Sequence, residues 1–406
     1  MQPVPCKRTA LYLNRSGSTA LLDIKIVIFS PQSPGKGEKL ENLRNYSERV
    51  RKTFAFIVKH GGSSSRWRSL CFGTDIFASC SAAVDLLSKA GLSSLESLEI
   101  VFMGPWQGHP EDDKMFLDAY RGKSSSKLLF AEPPPQLGSV RLEGVINSHL
   151  FGDISRPQLA GLTDIYISFS GRHPGINHIH SMLAASPRLT KLCFNSGDTD
   201  PDEDGPNAVQ ALDTPKVHMP TLKTLSFLSI SSPVWVLNHL LTLDAPNMTT
   251  FKLTFGEEPE EWFNGGRGAI RHLISYIATS GPVGTKRTPR PLFPSLTHIT
   301  FSNSERFQED LEMFLAGYPK IDSLALPECP TLQPLVKATL GLANLKVGIK
   351  EVTELKDFLL ARREAGVPLR TVQVARSRLG GPIDASVLKE LEELVEFSLV
   401  DELEED

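Results

Sequence analysis

Apolar residues recur along this chain in one local pattern, apolar-x-x-apolar-x-apolar, as in Leu189-Thr190-Lys191-Leu192-Cys193-Phe194. Apolar positions 0, 3 and 5 describe a chain that enters a strand and then turns alternate side chains to opposite faces. Such windows begin at Leu21, Trp67, Leu95, Leu137, Leu162, Leu189, Leu222, Met248, Leu296, Ile321, Leu342, Leu369 and Leu394, spaced 21 to 48 residues apart. Most intervals hold one stretch with apolar residues at helical spacing. Examples are Tyr46, Val50, Phe54 and Ile57; Ile176, Ile179 and Leu183; and Val352, Leu355, Phe358 and Leu359. Glycine or proline often follows, as at Gly366 and Gly281-Pro282, which is the expected stop.

Alternating strands and helices leave two architectures, a doubly wound parallel sheet or a one-faced solenoid. A doubly wound sheet buries both strand faces and reads as continuous apolar runs. Here the residue between the last two apolar positions is Lys25, Cys71, Glu99, Arg141, Tyr166, Cys193, Ser226, Lys252, Thr300, Ala325, Lys346, Gln373 or Ser398. Ten of these thirteen are charged, hydroxyl or amide side chains, so one face of the sheet is expected to meet water. The predicted fold is α/β: an irregular leucine-rich-repeat solenoid, or horseshoe, with parallel strands on the concave face and helices on the convex face. Residues 1–20 are expected to be a lead-in and a candidate for disorder, 21–400 a single solenoid, and 401–406 an acidic tail. Loop insertions are expected near 102–136, 196–220 and 281–295.

Composition narrows the function classes. A formal net charge of −4 with scattered basic residues argues against nucleic acid. No run of about 18 apolar residues predicts a membrane span. Five cysteines without a Cys-x-x-Cys pair suggest neither a disulfide framework nor a zinc site, and point to the cytoplasm or nucleus.

Candidate chemistry is sparse. Asp200, Asp202, Asp204 and Gly205 fit half of an EF-hand loop, but Ala211 stands where the bidentate glutamate belongs. His178 and His180 fall about 200° apart on the predicted helix and cannot share an ion. Gly122-Lys123-Ser124 resembles the end of a P-loop, with Leu117 in place of the first glycine. The sequence thus predicts no cofactor, no metal and no catalytic residue. Trp235 is expected in the core, whereas Trp106, Trp262 and the basic loop with Lys286, Arg287 and Arg290 are candidates for recognition. The alternation rule turns Arg141, Tyr166, Lys191, Lys252 and His298 onto the concave face, and these are the predicted partner-binding residues.

Several segments resemble, in order, the leucine-rich-repeat-like region of F-box proteins from mushroom-forming (basidiomycete) fungi. They are Leu13-Asn14-Arg15-Ser16-Gly17-Ser18 with Leu21-Leu22-Asp23-Ile24, then Ser65-Arg66-Trp67-Arg68-Ser69-Leu70, Ser186-Pro187-Arg188-Leu189-Thr190-Lys191-Leu192 and Val367-Pro368-Leu369-Arg370-Thr371-Val372. The resemblance implies the substrate-recognition part of a ubiquitin-ligase subunit, with an unknown protein as partner. The helical F-box, usually opening Leu-Pro-x-Glu-apolar-Leu, is absent from this sequence, so a Skp-type adaptor is expected only if the full gene product carries one. Competing readings are an enzyme with a loop-built site at one strand edge, and a decayed paralogue that keeps the fold without a partner.

Overall fold

The computed structural model describes residues 7–29, 41–103, 114, 128–146, 150–151, 153–171, 173–199, 214–256, 266–280, 290–302, 308–329, 331–333, 335–338, 341–381 and 383–402. The chain divides into two compact units, Met1–Leu189 with Asp198–Asp200, and Thr190–Gly197 with Pro201–Asp406.

The first unit runs α1 (Lys7–Arg15), β1 (Leu22–Ile28), α2 (Glu41–Lys59), β2 (Trp67–Thr74), α3 (Phe77–Leu87), β3 (Ser97–Phe102), β4 (Ser139–Ile146), β5 (Asp164–Gly171) and α4 (Ile176–Ala184). Its strands lie in sequence order, each parallel to the next. In the second unit the order of elements is β6 (Lys191–Thr199), β7 (Val217–His218), β8 (Thr224–Ile230), α5 (Pro233–Leu241), β9 (Leu243–Asp244), β10 (Thr250–Phe255), α6 (Gly266–Thr279), β11 (His298–Ser302), α7 (Gln308–Gly317), β12 (Ser323–Leu326), α8 (Leu335–Ala338), β13 (Asn344–Val347), α9 (Val352–Glu364), β14 (Thr371–Ala375), α10 (Ala385–Leu394) and β15 (Glu396–Val400). Strands β6, β8 and β10 to β15 pair in that order, all parallel, while β7 and β9 form a separate two-stranded parallel ribbon. Each of the thirteen sheet strands coincides with one apolar window.

Burial alternates along most strands as the windows predict; Ser226 of β8, expected on the wet face, is buried. Leu98, Ile100 and Phe102 of β3 are buried between half-exposed neighbours, and β12 and β13 repeat the pattern. The buried face receives the helices. Phe54 of α2 meets Trp67 at 5.6 Å between ring centroids, and Phe77 of α3 meets Phe102 at 5.8 Å. In the second unit Trp235 of α5 packs edge-on against Phe194 and Phe227, at 5.8 and 6.2 Å. Each such aromatic pair is worth about 0.5–1.5 kcal/mol beyond its burial. The first and last strands are wetter: Leu21, the first window's opening residue, is 46 % exposed, and β15 has no buried position.

Within the lead-in, residues 7–15 form α1, and Arg66 ties the segment that follows it to the first unit. Arg66 is 8 % exposed and donates from Nε to the Ala20 carbonyl (2.8 Å), from Nη1 to the Gly61 carbonyl (2.5 Å) and from Nη2 to Ser16 Oγ (2.9 Å). Leu13 of α1 is buried. A second buried arginine, Arg362 of α9, is 0 % exposed and donates to the carbonyls of Leu335 (3.1 Å) and Leu342 (3.3 Å). Arg362 satisfies two backbone acceptors that lie out of reach of water, whereas the carbonyls Arg66 bonds belong to exposed residues.

Two irregularities shift the register. At Gly144 (φ +66°), between Glu143 and Val145, β4 slips relative to β5. A Cβ there would lie 2.3 Å from the Phe102 carbonyl oxygen, so only glycine fits. Near the second slip, between β8 and β10, Ser229 takes φ 49° and donates its backbone N–H to Thr254 Oγ1 at 2.8 Å.

Candidate functional site

Alternation and register together assemble the half-exposed sheet face into rows. In the first unit the first row is Asp23, Ser69, Ser97, Ser139 and Asp164, and the middle row is Lys25, Cys71, Glu99, Arg141 and Tyr166, each residue opposite the next. In the second unit the first row is Lys191, Thr224, Thr250, His298, Ser323, Asn344, Thr371 and Glu396. Its middle row is Cys193, Ser226, Lys252, Thr300, Ala325, Lys346, Gln373 and Ser398.

Arg141 and Tyr166 come together. The guanidinium carbon stands 4.7 Å from the Tyr166 ring centroid, a cation–π geometry. Arg141 also donates from Nε to Glu143 Oε1 at 2.7 Å, and its Nε lies 3.9 Å from Glu99 Oε1. Partial burial works against the Arg141 charge, but the Glu143 bond, with Tyr166 and Glu99 behind it, outweighs that and raises its pKa. On the first row Asp23 accepts from Arg68 Nε (3.0 Å) and Ser69 Oγ (2.7 Å), and also pairs with Arg68 Nη2. Those bonds, Arg68 first, hold the Asp23 carboxyl below its ordinary range.

Lys191, Lys252 and His298 belong to the second unit. Lys191 and His298 are exposed and share the first row three strand steps apart, about 14 Å. Lys252 is half-exposed in the middle row between Ser226 and Thr300. Sequence reasoning passed over Glu143, Arg68, Lys346 and Gln373 as site residues, although aligning adjacent windows puts Lys346 and Gln373 in the same row as Lys252.

Nucleophilic chemistry finds little purchase here. Burial, then the hydrogen bond to Glu99, raises the Cys71 thiol above its ordinary pKa, and burial pushes Cys329 up to about 12. Thiols shifted upward stay protonated and weakly reactive at neutral pH. A crevice between Phe151, Ile154, Gln158, His178 and Met182 measures about 10 Å³, room for one water at most. At the far end of the second unit an open depression of about 840 Å³ is lined by Lys346, Gln373, Arg376 and residues 399–402.

Trp235 is buried, as expected for a core residue. His178 and His180 both lie on α4. Among the described residues no group of three or more His, Cys, Asp or Glu is placed to hold a metal, and no helix is long and apolar enough to cross a membrane. The half EF-hand loop, the P-loop-like segment, Trp106, Trp262, Lys286 and Arg287 lie outside the described residues; Arg290 is described and exposed.

No protein-family model matches the chain, and no curated protein is similar to it. A crystal structure of a Bacteroides fragilis protein, solved as a structural-genomics target, overlays with a TM-score of 0.40 and 15 % identity over 88 % of this chain and 83 % of that one. That likeness is too loose to carry an argument.

Proposed function

We propose that the chain is a leucine-rich-repeat-type solenoid serving as a non-enzymatic protein-binding scaffold. The observation that carries this reading is the pair of rows on each unit's open face, where polar side chains stand in cross-strand register over several strands. A rigid, wide, hydrated ladder suits recognition of another macromolecule's surface. Catalysis usually needs convergent groups in a closed pocket with pKa values tuned toward neutrality. Here the shifted thiols move away from reactivity. By its resemblance to the fungal F-box proteins, the role is substrate recognition for a ubiquitin ligase, with a Skp-type adaptor engaged through an F-box if the full gene product has one.

Affinity purification of the chain from its native organism tests this. A partner protein is expected to co-purify, and charge reversal at Arg141, Lys191 and Lys252 together is expected to release it. Retention of every partner by that variant removes these residues from the interface. Recovery of no partner by the wild-type chain removes the scaffold reading, and recovery of adaptor and cullin subunits adds the ligase role.

A further inference from the structure

We propose that the chain self-associates: β1 of the first unit pairs antiparallel with β1 of a second copy across a two-fold axis. The inference goes beyond the protein-binding reading and does not depend on it. Among the described residues β1 is bonded to β2 alone, so its other edge carries backbone groups that pair with no described strand. Its inward side chains show the missing neighbour. Ile24 lies opposite Leu70, and Leu70 opposite Leu98; Leu70 and Leu98 are each 1 % exposed, whereas Leu22 and Ile24 are half-exposed. Exposed large apolar side chains also concentrate on α1, β1 with its flanks, and α2. Leu11, Tyr12, Leu21, Val27, Phe29 and Val58 are six of the eleven among the described residues.

Charge selects both the occupant and the register. Directly opposite residues of an antiparallel pair share a face, so β1 meets a copy of itself only with the axis through one residue. An axis at Asp23 or Lys25 sets like charges opposite each other, and an axis at Leu22 or Ile26 sets both charges against uncharged residues. With the axis at Ile24, each copy's Asp23 stands opposite the other's Lys25, Leu21 opposite Val27, and Leu22 opposite Ile26. Arg68 and Ser69 already hold the Asp23 carboxylate, and its side chain is 54 % exposed, open to a charge-assisted bond from the second copy's lysine. The axis stands perpendicular to the sheet, so the two open faces continue into one another. Charged residues usually guard an edge strand. Here their two-residue spacing makes the edge complementary to itself. The last strand of the second unit, β15, has no such spacing: residues 396–402 include Glu396, Asp401 and Glu402 and no base, so two copies of it repel.

Sedimentation equilibrium on the full chain is expected to show monomer and dimer exchanging with a Kd of about 1–100 μM, as befits a small edge-to-edge contact. Lys25→Glu opposes acids across the axis and Asp23→Lys opposes bases, and each variant alone is expected to weaken the dimer at least about tenfold. Mixing the two variants restores opposite charges at both contacts, so a mixed dimer of about wild-type affinity is expected. If Asp23→Lys fails to fold, cysteine placement gives an independent readout. Ile24→Cys sits on the axis, with about 4.5–5.5 Å between the two Cα atoms, and is expected to form a disulfide-linked dimer under oxidised glutathione, above the wild-type level. Val27→Cys, whose mates stand about 20 Å apart, is expected to form none beyond that level. A chain that stays monomeric at about 100 μM overturns the proposal. So does a dimer indifferent to both charge variants, or cross-linking at Val27→Cys in preference to Ile24→Cys. Open-ended association in place of a dimer overturns it too, because it means that unlike edges meet. A monomeric chain that still captures a partner protein sinks this inference and leaves the scaffold reading standing.

Discussion

The two units solve the same backbone problem and dress the result differently. On the first unit's open face acids and bases alternate and bond one another: Asp23 with Arg68, and Arg141 with Glu143 and Tyr166. A partner landing there must break or desolvate contacts that are already satisfied. On the second unit the first and middle rows of β6 to β14 carry Lys191, Lys252, His298 and Lys346 among hydroxyl and amide side chains, with no carboxylate in either row. Recognition is therefore written in which charges share a row, and two faces with one architecture need not have one role.

That contrast presumes equally firm backing under both faces. Arg66 and Arg362 supply part of it: replacing Arg362 with alanine strands two buried carbonyls, and replacing Arg66 removes the bonds that hold Ala20, Gly61 and Ser16 together. Arg362→Ala is expected to cost about 3 kcal/mol and Arg66→Ala, whose acceptors water can reach, about 1–2 kcal/mol, read as a lower denaturant midpoint at constant slope. A loss below about 1 kcal/mol in one of them would mean that the units are not comparably supported.

The register slips come next. Gly144→Ala should cost about 2–3 kcal/mol, because the new Cβ meets the Phe102 carbonyl oxygen and the left-handed φ is retained. Ser229→Gly, in the second unit, should be neutral or stabilising by up to about 1 kcal/mol. Thermal melts that rank them the other way would refute the strain argument. Smaller effects separate the faces themselves. Arg141→Ala should lower stability by about 0.5–1 kcal/mol, shrinking with salt, whereas Lys252→Ala should stay within about 0.5 kcal/mol of wild type.

The smallest effect is electrostatic. The folded-state pKa of Asp23 is depressed by Arg68 and Ser69, so its contribution is complete above the ordinary carboxylate pKa of about 3.9 and disappears as pH falls through the lower folded value. Melting curves of wild type and Asp23→Asn should therefore converge in acid; curves that stay parallel across that window would show that the Asp23 bonds do not form in solution.

Much of this was legible in the chain. Thirteen windows marked thirteen strands, and their middle residues became cross-strand neighbours, because a one-residue slip would turn every apolar side chain outward. Helix periodicity also pointed at Arg362, the next position on the Leu355-Phe358-Leu359 stripe, but a charged residue there reads as the end of a stripe rather than as buried. The order in Lys7–Arg15 was hidden because only Leu13 of that helix is buried and its anchor, Arg66, lies some fifty residues away. Gly144 and Ser229 depend on a neighbouring strand's carbonyl or hydroxyl, which no local pattern encodes. The candidate site was half visible: its rows follow from alternation, while the pairing of Arg141 with Glu143 depends on side-chain conformation.

Within each unit, leaving aside the β7–β9 ribbon, every sheet strand lies beside the sheet strand made before it. A chain leaving the ribosome can therefore add each new strand to an edge already formed, without waiting for distant sequence. Synthesis and folding can proceed at the same front, and the exposed growing edge is where a stalled or shortened chain would be most open to aggregation.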